Sequence, residues 1–178
     1  NNWVISGEKS ASGKPILADD PHLSLATPSI WYQTRLEMKG LNVSGVIFAG
    51  VPGVILGHND KIAWGVTNTG PDVQDLYIEK RNPNNENEFL YNDKWEKATV
   101  VDESIKVKGG KTIPYNVTIT RHGPVISEFA DKGKEKTKTV FSLKWTALEP
   151  SAELKAVLNM NKAKDWNEFE TALQDFHT

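Results

Sequence analysis

The run Asp19-Asp20-Pro21-His22 sets two carboxylates and an imidazole within four residues, and these are side chains that carry protons in general acid–base catalysis. The same four residues also suit a solvated turn in which an Asp side chain caps the backbone, and spacing leaves both readings open. Ser6, Ser10, Ser12 and Ser24 lie nearby, so a serine with His22 and Asp19 is a conceivable triad, yet none of them sits in a Gly-x-Ser-x-Gly elbow. Asp72-Val73-Gln74-Asp75 offers two carboxylates and an amide or backbone carbonyl, the hard oxygen donors that calcium prefers, in a stretch too short for a complete calcium loop. His22, His58, His122 and His177 are scattered, and with no cysteine to join them they make no local transition-metal motif.

Something must hold these groups in place. From the first residue to about Trp145, short apolar or alternating runs are separated by Gly, Pro, Asn and Asp, which is the pattern of strands joined by turns. The predicted strands are 3–5, 15–18, 32–38, 43–49, 62–66, 76–80, 100–108, 112–120 and 137–145. Gly109-Gly110 between two of these suits a two-residue hairpin turn, because glycine reaches positive φ at little cost. The Asn-rich stretch 81–87, interrupted by Pro83, reads as a surface loop. After Trp145 the period changes. Pro150-Ser151 opens a helix carrying Leu154, Val157 and Leu158, and Asp165 with Glu168 forms a capping box for a second. Trp166, Phe169, Leu173 and Phe176 make one apolar stripe on that second helix, a stripe that needs a sheet to cover it.

The whole is an α+β arrangement, mostly antiparallel strands followed by helices, with no internal repeat and no low-complexity segment. It is read as one incomplete domain over residues 1–178, processed or excised from something longer, since the chain lacks an initiator Met and closes directly after an apolar helix. A net charge of -2 from 21 basic and 23 acidic residues provides no broad positive field, which argues against nucleic acid and against an anionic membrane surface. No apolar run is long enough to span a bilayer as a helix. The lack of cysteine allows secretion without requiring it.

Three stretches taken in order carry a resemblance. Asn1-Asn2-Trp3-Val4-Ile5-Ser6-Gly7, then Gly13-Lys14-Pro15-Ile16-Leu17-Ala18-Asp19-Asp20-Pro21-His22-Leu23, then Gly57-His58-Asn59-Asp60-Lys61-Ile62-Ala63-Trp64-Gly65-Val66-Thr67-Asn68 closely resemble the start of the β-chain in the penicillin amidase family of N-terminal nucleophile hydrolases. The likeness continues through Asp72 to Glu79 and more loosely to the final helix. The resemblance implies a precursor that cuts itself immediately before a serine, whose hydroxyl then attacks an amide. Its own α-amino group, with a pKa near ~8, takes the proton. Asn1 matches the family's second residue, so the nucleophile is expected one place earlier and this chain alone is expected to be inactive.

Position by position, the resemblance implies that His22 orients the serine's amino group and that the backbone N–H of Asn68 donates to the oxyanion hole. Leu23, Leu56 and Val66 match positions lining the acyl pocket; leucine at two places where penicillin G enzymes favour aromatics leaves aliphatic acyl groups open. Asp72, Gln74 (through its carbonyl) and Asp75 match a calcium site whose other ligands come from elsewhere. The implied fold is an αββα sandwich completed by the α-chain and the rest of the β-chain, and the implied location is the periplasm or outside the cell. Sheet edges and apolar helix faces left open in residues 1–178 make a homodimer of this piece an expectation. The rival reading is a non-catalytic β-rich binding module in which the six Trp supply stacking faces; Trp3, Trp64 and Trp166, falling in family motifs or on the helix stripe, are expected in the core instead.

Overall fold

The computed structural model describes residues 1–127 and 139–177, and their contacts group into two compact units. The first unit comprises Asn1–Pro71 with Pro150–Thr178, and the second Asp72–Glu149, where the sequence suggests a single domain.

In the first unit β1 (Asn2–Ile5) and β2 (Ile16–Asp19) form an antiparallel hairpin in which Asn2 lies opposite Asp19. β3 (Trp31–Met38), β4 (Leu41–Phe48), β5 (Leu56–Asn59) and β6 (Ala63–Trp64) make a four-stranded antiparallel sheet in that order. The β3–β4 register runs from Met38 opposite Leu41 to Trp31 opposite Phe48, which stacks the two rings at 4.6 Å. Helix α1 (Glu153–Lys162) and helix α2 (Trp166–Leu173) close the unit. Its core is Val43, Val54, Trp64, Met160 and Ala172, with Leu41, Ile47, Ile62 and Phe169 packed against them. Burying these side chains is the main favourable term for the unit.

Polar ties fix how α1 meets the sheet. Asn161, 3% exposed, accepts from the Val54 N–H at 2.8 Å and donates to the Val54 carbonyl at 2.7 Å, so its amide stands in for a neighbouring strand. Asn59 donates to the carbonyls of Asn161 and Ala163 at 3.1 and 2.7 Å, satisfying groups that the end of a helix otherwise leaves open. The expected cap on α2 is present: Asp165 accepts from the Glu168 N–H at 2.9 Å. The reciprocal bond goes one residue further back, from the Lys164 N–H to Glu168. Trp166 and Phe176 are 67% and 47% exposed, so only Phe169 of the predicted stripe packs on the core cluster. Trp3, also expected inside, is 70% exposed on the β1–β2 hairpin, where no second layer covers it among the described residues. Only Trp64 of the three is core; it is 3% exposed and donates to the Ile55 carbonyl at 2.9 Å.

In the second unit β7 (Gln74–Glu79) pairs with β13 (Val140–Trp145), whose predicted first residues, 137 and 138, lie outside the described ones. β11 (Thr99–Ile105) and β12 (Ile113–Ile119) form the predicted hairpin, but not through a two-residue turn. Pairing stops at Ile105 opposite Ile113, and the chain reverses between Val107 and Gly110, whose N–H donates to the Val107 carbonyl at 3.1 Å. Gly109, at φ +74, fills the third place of that turn, where an L side chain would be strained.

The loop predicted over 81–87 is instead part of a small sheet. β8 (Arg81–Asn82) pairs with β9 (Asn85–Tyr91), Asn82 opposite Asn85, and the Pro83–Asn84 pair makes the bend. Proline fixes the φ that the bend requires, and the Asn82 side chain accepts from the Asn84 N–H at 2.9 Å, so residues that read as loop-formers build a tight turn. β9 continues into β10 (Lys94–Lys97) through Asn92 and Asp93 at φ 45 and 59, the paired positive values of a primed hairpin turn.

Candidate active site

The β1–β2 ladder carries the N-terminus to the start of the Asp19–His22 run. The Asn1 backbone nitrogen donates to the Asp20 carbonyl at 2.7 Å, and the Asp20 N–H donates to the Asn1 carbonyl at 3.0 Å. Past this point the chain leaves the strand and passes His22 and Leu23 along the wall of a cavity of about 660 Å³ within the first unit. Asn1, His22 and Asn68 contribute polar groups to that wall; Leu23, Ile55 and Val66 contribute aliphatic ones. The stacked Trp31 and Phe48 pair adds an aromatic side. Val157 and Met160 of α1 and Phe176 beyond α2 line it as well, so the helices complete a pocket that the sheet begins. An apolar cavity with a few convergent polar groups is the usual form of a small-molecule site.

His22 and Asp20 face water, with side chains 71% and 77% exposed and 3.6 Å between Nε2 and Oδ2, so the pair is a loose one. No serine hydroxyl bonds His22 among the described residues: Ser10 donates to the Lys14 carbonyl at 2.6 Å and Ser12 accepts from the Lys14 N–H at 3.3 Å, both within one turn. Asp19 accepts from the Val66 N–H at 3.2 Å. Asn68 spends its side chain locally, accepting from the Gly70 N–H at 2.8 Å. Its own N–H makes no hydrogen bond among the described residues.

Of the predicted pocket residues, Leu23 and Val66 line the cavity, at 46% and 42% exposed. Leu56 does not. It is 6% exposed in β5, paired with Val46, and Ile55 immediately before it takes the place on the wall. Successive strand residues point to opposite faces, so a shift of one position exchanges wall for core. The sequence reading also omits Trp31 and Phe48. Counting both strands outward from the Lys39–Gly40 turn places them opposite each other, which is the signal that finds them.

The predicted calcium ligands lie in the second unit. Asp72 precedes β7, and Gln74 and Asp75 open it, opposite Trp145 and Lys144. All three are exposed, and no group of three or more acidic or imidazole side chains forms a cation cage among the described residues. Two carboxylates and a carbonyl match the oxygen chemistry of calcium but supply about half of the six to eight ligands it takes.

A second titratable cluster, absent from the sequence reading, lies in the same unit. The Glu79 side chain, 4% exposed, receives three hydrogen bonds on Oε1: from the Thr120 and Ser142 hydroxyls at 2.7 Å each and from His122 Nδ1 at 3.0 Å. Burial pushes its pKa up, but the bonds from Thr120, His122 and Ser142 outweigh burial and hold it below the ordinary 4.5. An ionised carboxylate only accepts, so Nδ1 of His122 carries the proton. Tyr77 stacks flat on the His122 ring, with centroids 4.0 Å apart.

Comparison with known proteins supplies the context. The sequence model of the family described as penicillin amidase matches residues 1–178. The acyl-homoserine lactone acylase QuiP of Pseudomonas aeruginosa is 33% identical over 172 residues, which cover 92% of this chain and 20% of that protein. Penicillin G acylase of Escherichia coli is 31% identical over 171 residues, covering 95% of this chain and 20% of that one. In three dimensions the chain resembles the thermostable penicillin G acylase from Alcaligenes faecalis, with a TM-score of 0.82 and 29% identity over 99% of this chain and 31% of the other. The chain thus spans about a fifth of the length of the two relatives compared by sequence.

Proposed function

The chain belongs to the penicillin amidase family, and we propose that it forms the acyl-binding and oxyanion-holding part of an enzyme that hydrolyses the linear amide of N-acyl compounds. The observation that carries this reading is the single cavity that brings Asn1, His22 and Asn68 together with an apolar wall. The reaction needs a nucleophile at the start of β1, supplied by a serine directly before Asn1 in the longer protein. Its hydroxyl oxygen attacks the amide carbon, and its own α-amino group takes the hydroxyl proton. The carbonyl oxygen becomes an oxyanion that accepts from the free N–H of Asn68. Collapse of this intermediate breaks the C–N bond, the amine leaves with the proton, and water then releases the acid from the acyl-serine. His22, close to the Asn1 end of the cavity wall, orients the amino group.

The wall favours acyl groups that gain by leaving water. Leu23, Ile55, Val66 and Met160 suit aliphatic chains, and Trp31, Phe48 and Phe176 also accept an aromatic ring, so both acyl classes belong to the proposed range. The α-chain and the rest of the β-chain are the proposed partners, supplying remaining site groups and covering the apolar surface of residues 1–178. Calcium, held by Asp72, Asp75 and the Gln74 carbonyl with further oxygen ligands from outside this segment, is proposed as a structural ion of the whole enzyme, and the periplasm or cell exterior as its location.

The test uses the full-length gene product. Intact mass and N-terminal sequencing are expected to find a chain starting Ser-Asn-Asn-Trp, and the purified protein to hydrolyse phenylacetyl or medium-chain acyl amides, whereas residues 1–178 alone do not. A full-length protein that stays uncut and leaves every amide of such a panel intact overturns the proposal.

A further inference from the structure

A nucleophile at the start of β1 and an oxyanion donor at Asn68 sit on separate stretches of chain, and catalysis requires them at a fixed separation. The ladders of the first unit do not supply that link directly: β1 pairs with β2, whereas β6 ends at Trp64, four residues short of Asn68. The connection is a side chain. Asp19, the last residue of β2, accepts from the Val66 N–H at 3.2 Å. Gly65 makes the approach possible, since a Cβ there would lie 2.9 Å from both Cγ and Oδ2 of Asp19 and 3.0 Å from its Cβ. The other oxygen faces β1: the Asn2 side-chain nitrogen, in the orientation its hydrogen bonds favour, donates to Asp19 Oδ1. A carboxylate that only accepts suits these two N–H donors.

The geometry points to Asp19 as a positioning residue that sets the distance between the nucleophile ahead of Asn1 and the Asn68 N–H. The inference rests on the reading under Proposed function. Asp19 touches neither substrate nor reacting atoms; it acts through the backbone of Gly65 and Val66 and through Asn2.

The experiment measures kcat and KM per active site in the full-length enzyme, with active sites counted by titration with a sulfonyl fluoride. Asp19→Ala is expected to lower kcat per titrated site roughly ten- to a hundredfold, below the loss from deleting an oxyanion donor outright, while KM stays within about threefold. Asp19→Asn keeps one acceptor for Val66 and is expected to stay within about fivefold of wild type. Gly65→Ala leaves the carboxylate in the chain but pushes it off its seat; its kcat should fall in the same way, which keeps the test open where Asp19→Ala does not fold. Fewer titratable sites with an unchanged kcat per site, in either Asp19→Ala or Gly65→Ala, mean that Asp19 only supports the fold and overturn the proposal. A wild-type enzyme that cleaves no amide overturns the functional reading itself, an outcome recognised before any variant is assayed.

Discussion

In the unit formed by Asn1–Pro71 with Pro150–Thr178, the buried polar side chain that ties helix to sheet is an uncharged amide, Asn161; in the unit formed by Asp72–Glu149, the buried polar side chain that ties strands and turn together is a carboxylate, Glu79. Both are buried and both collect partners distant in sequence. Asn161 both gives and accepts, pairing with the two backbone groups of Val54 107 residues away. Glu79 only accepts, and draws donors from β13 and from the residues just after β12. The difference lies in what each unit does with acid. An amide clamp has no proton to gain, so the contact it makes is indifferent to pH. A carboxylate clamp is strong only while ionised.

The largest expected effect tests the neutral clamp. Asn161→Leu keeps the volume but strands the Val54 N–H and C=O in a buried contact, and at about 1–3 kcal/mol for each unsatisfied group the loss is about 2–6 kcal/mol. Chemical denaturation should show that loss at pH 7 and at pH 4.5 alike. A loss confined to one pH would break the contrast between the units.

Next comes the charged clamp. Glu79→Gln keeps one oxygen for the three donors but removes the charge that strengthens them, for an expected loss of about 2 kcal/mol at neutral pH. The sign of its pH dependence follows from the lowered pKa. The folded carboxylate holds its proton less tightly than the unfolded one, so its contribution is fully present above the ordinary value of 4.5 and disappears as pH falls through the lower folded value. Hydrogen exchange of the β7 and β13 amides between pH 6 and 3 should therefore show wild type and Glu79→Gln converging at the acid end. Parallel curves would mean that the charge contributes nothing to this unit.

How much of this was legible without coordinates depends on how far apart the partners lie. Strands near 3–5, 15–18 and 32–38 follow from local alternation, and the Asp165 cap on α2 from two residues three apart; each is settled within a few residues of itself. The resemblance names His22, Leu23 and Val66, which line the cavity, and Leu56, which is buried in β5 next to the lining residue Ile55; resemblance gives the segment but not the strand phase, which the pairing of β5 with β4 decides. The β8–β9 hairpin was missed because Pro83 and its asparagines read equally well as open loop; only the ladder from Arg81 to Phe89 tells the two apart. Asn161 and Glu79 had no local signal at all. An asparagine on a helix and a glutamate ending a strand look like solvated surface until the fold brings Val54 to one and Thr120, His122 and Ser142 to the other.

The smallest effect separates the charge of the carboxylate from the number of its donors. Ser142 is fully buried in β13 and its hydroxyl donates to Oε1 at 2.7 Å, beside an equal bond from Thr120. Ser142→Ala removes one donor and leaves the carboxylate ionised with two others. The serine loses its own need for a partner at the same time, so the cost is that of one charge-assisted bond, about 1.5 kcal/mol, with little added penalty from an orphaned group. Because the remaining donors hold Glu79 less firmly, its folded pKa should move up toward the ordinary carboxylate value, and the acid loss of stability should begin at higher pH than in wild type. Side-chain carboxyl titration by NMR reads that shift directly. An unchanged Glu79 titration in Ser142→Ala would assign the lowered pKa to Thr120 and His122 alone, and would narrow the acid-sensitive clamp of this unit to the residues just after β12.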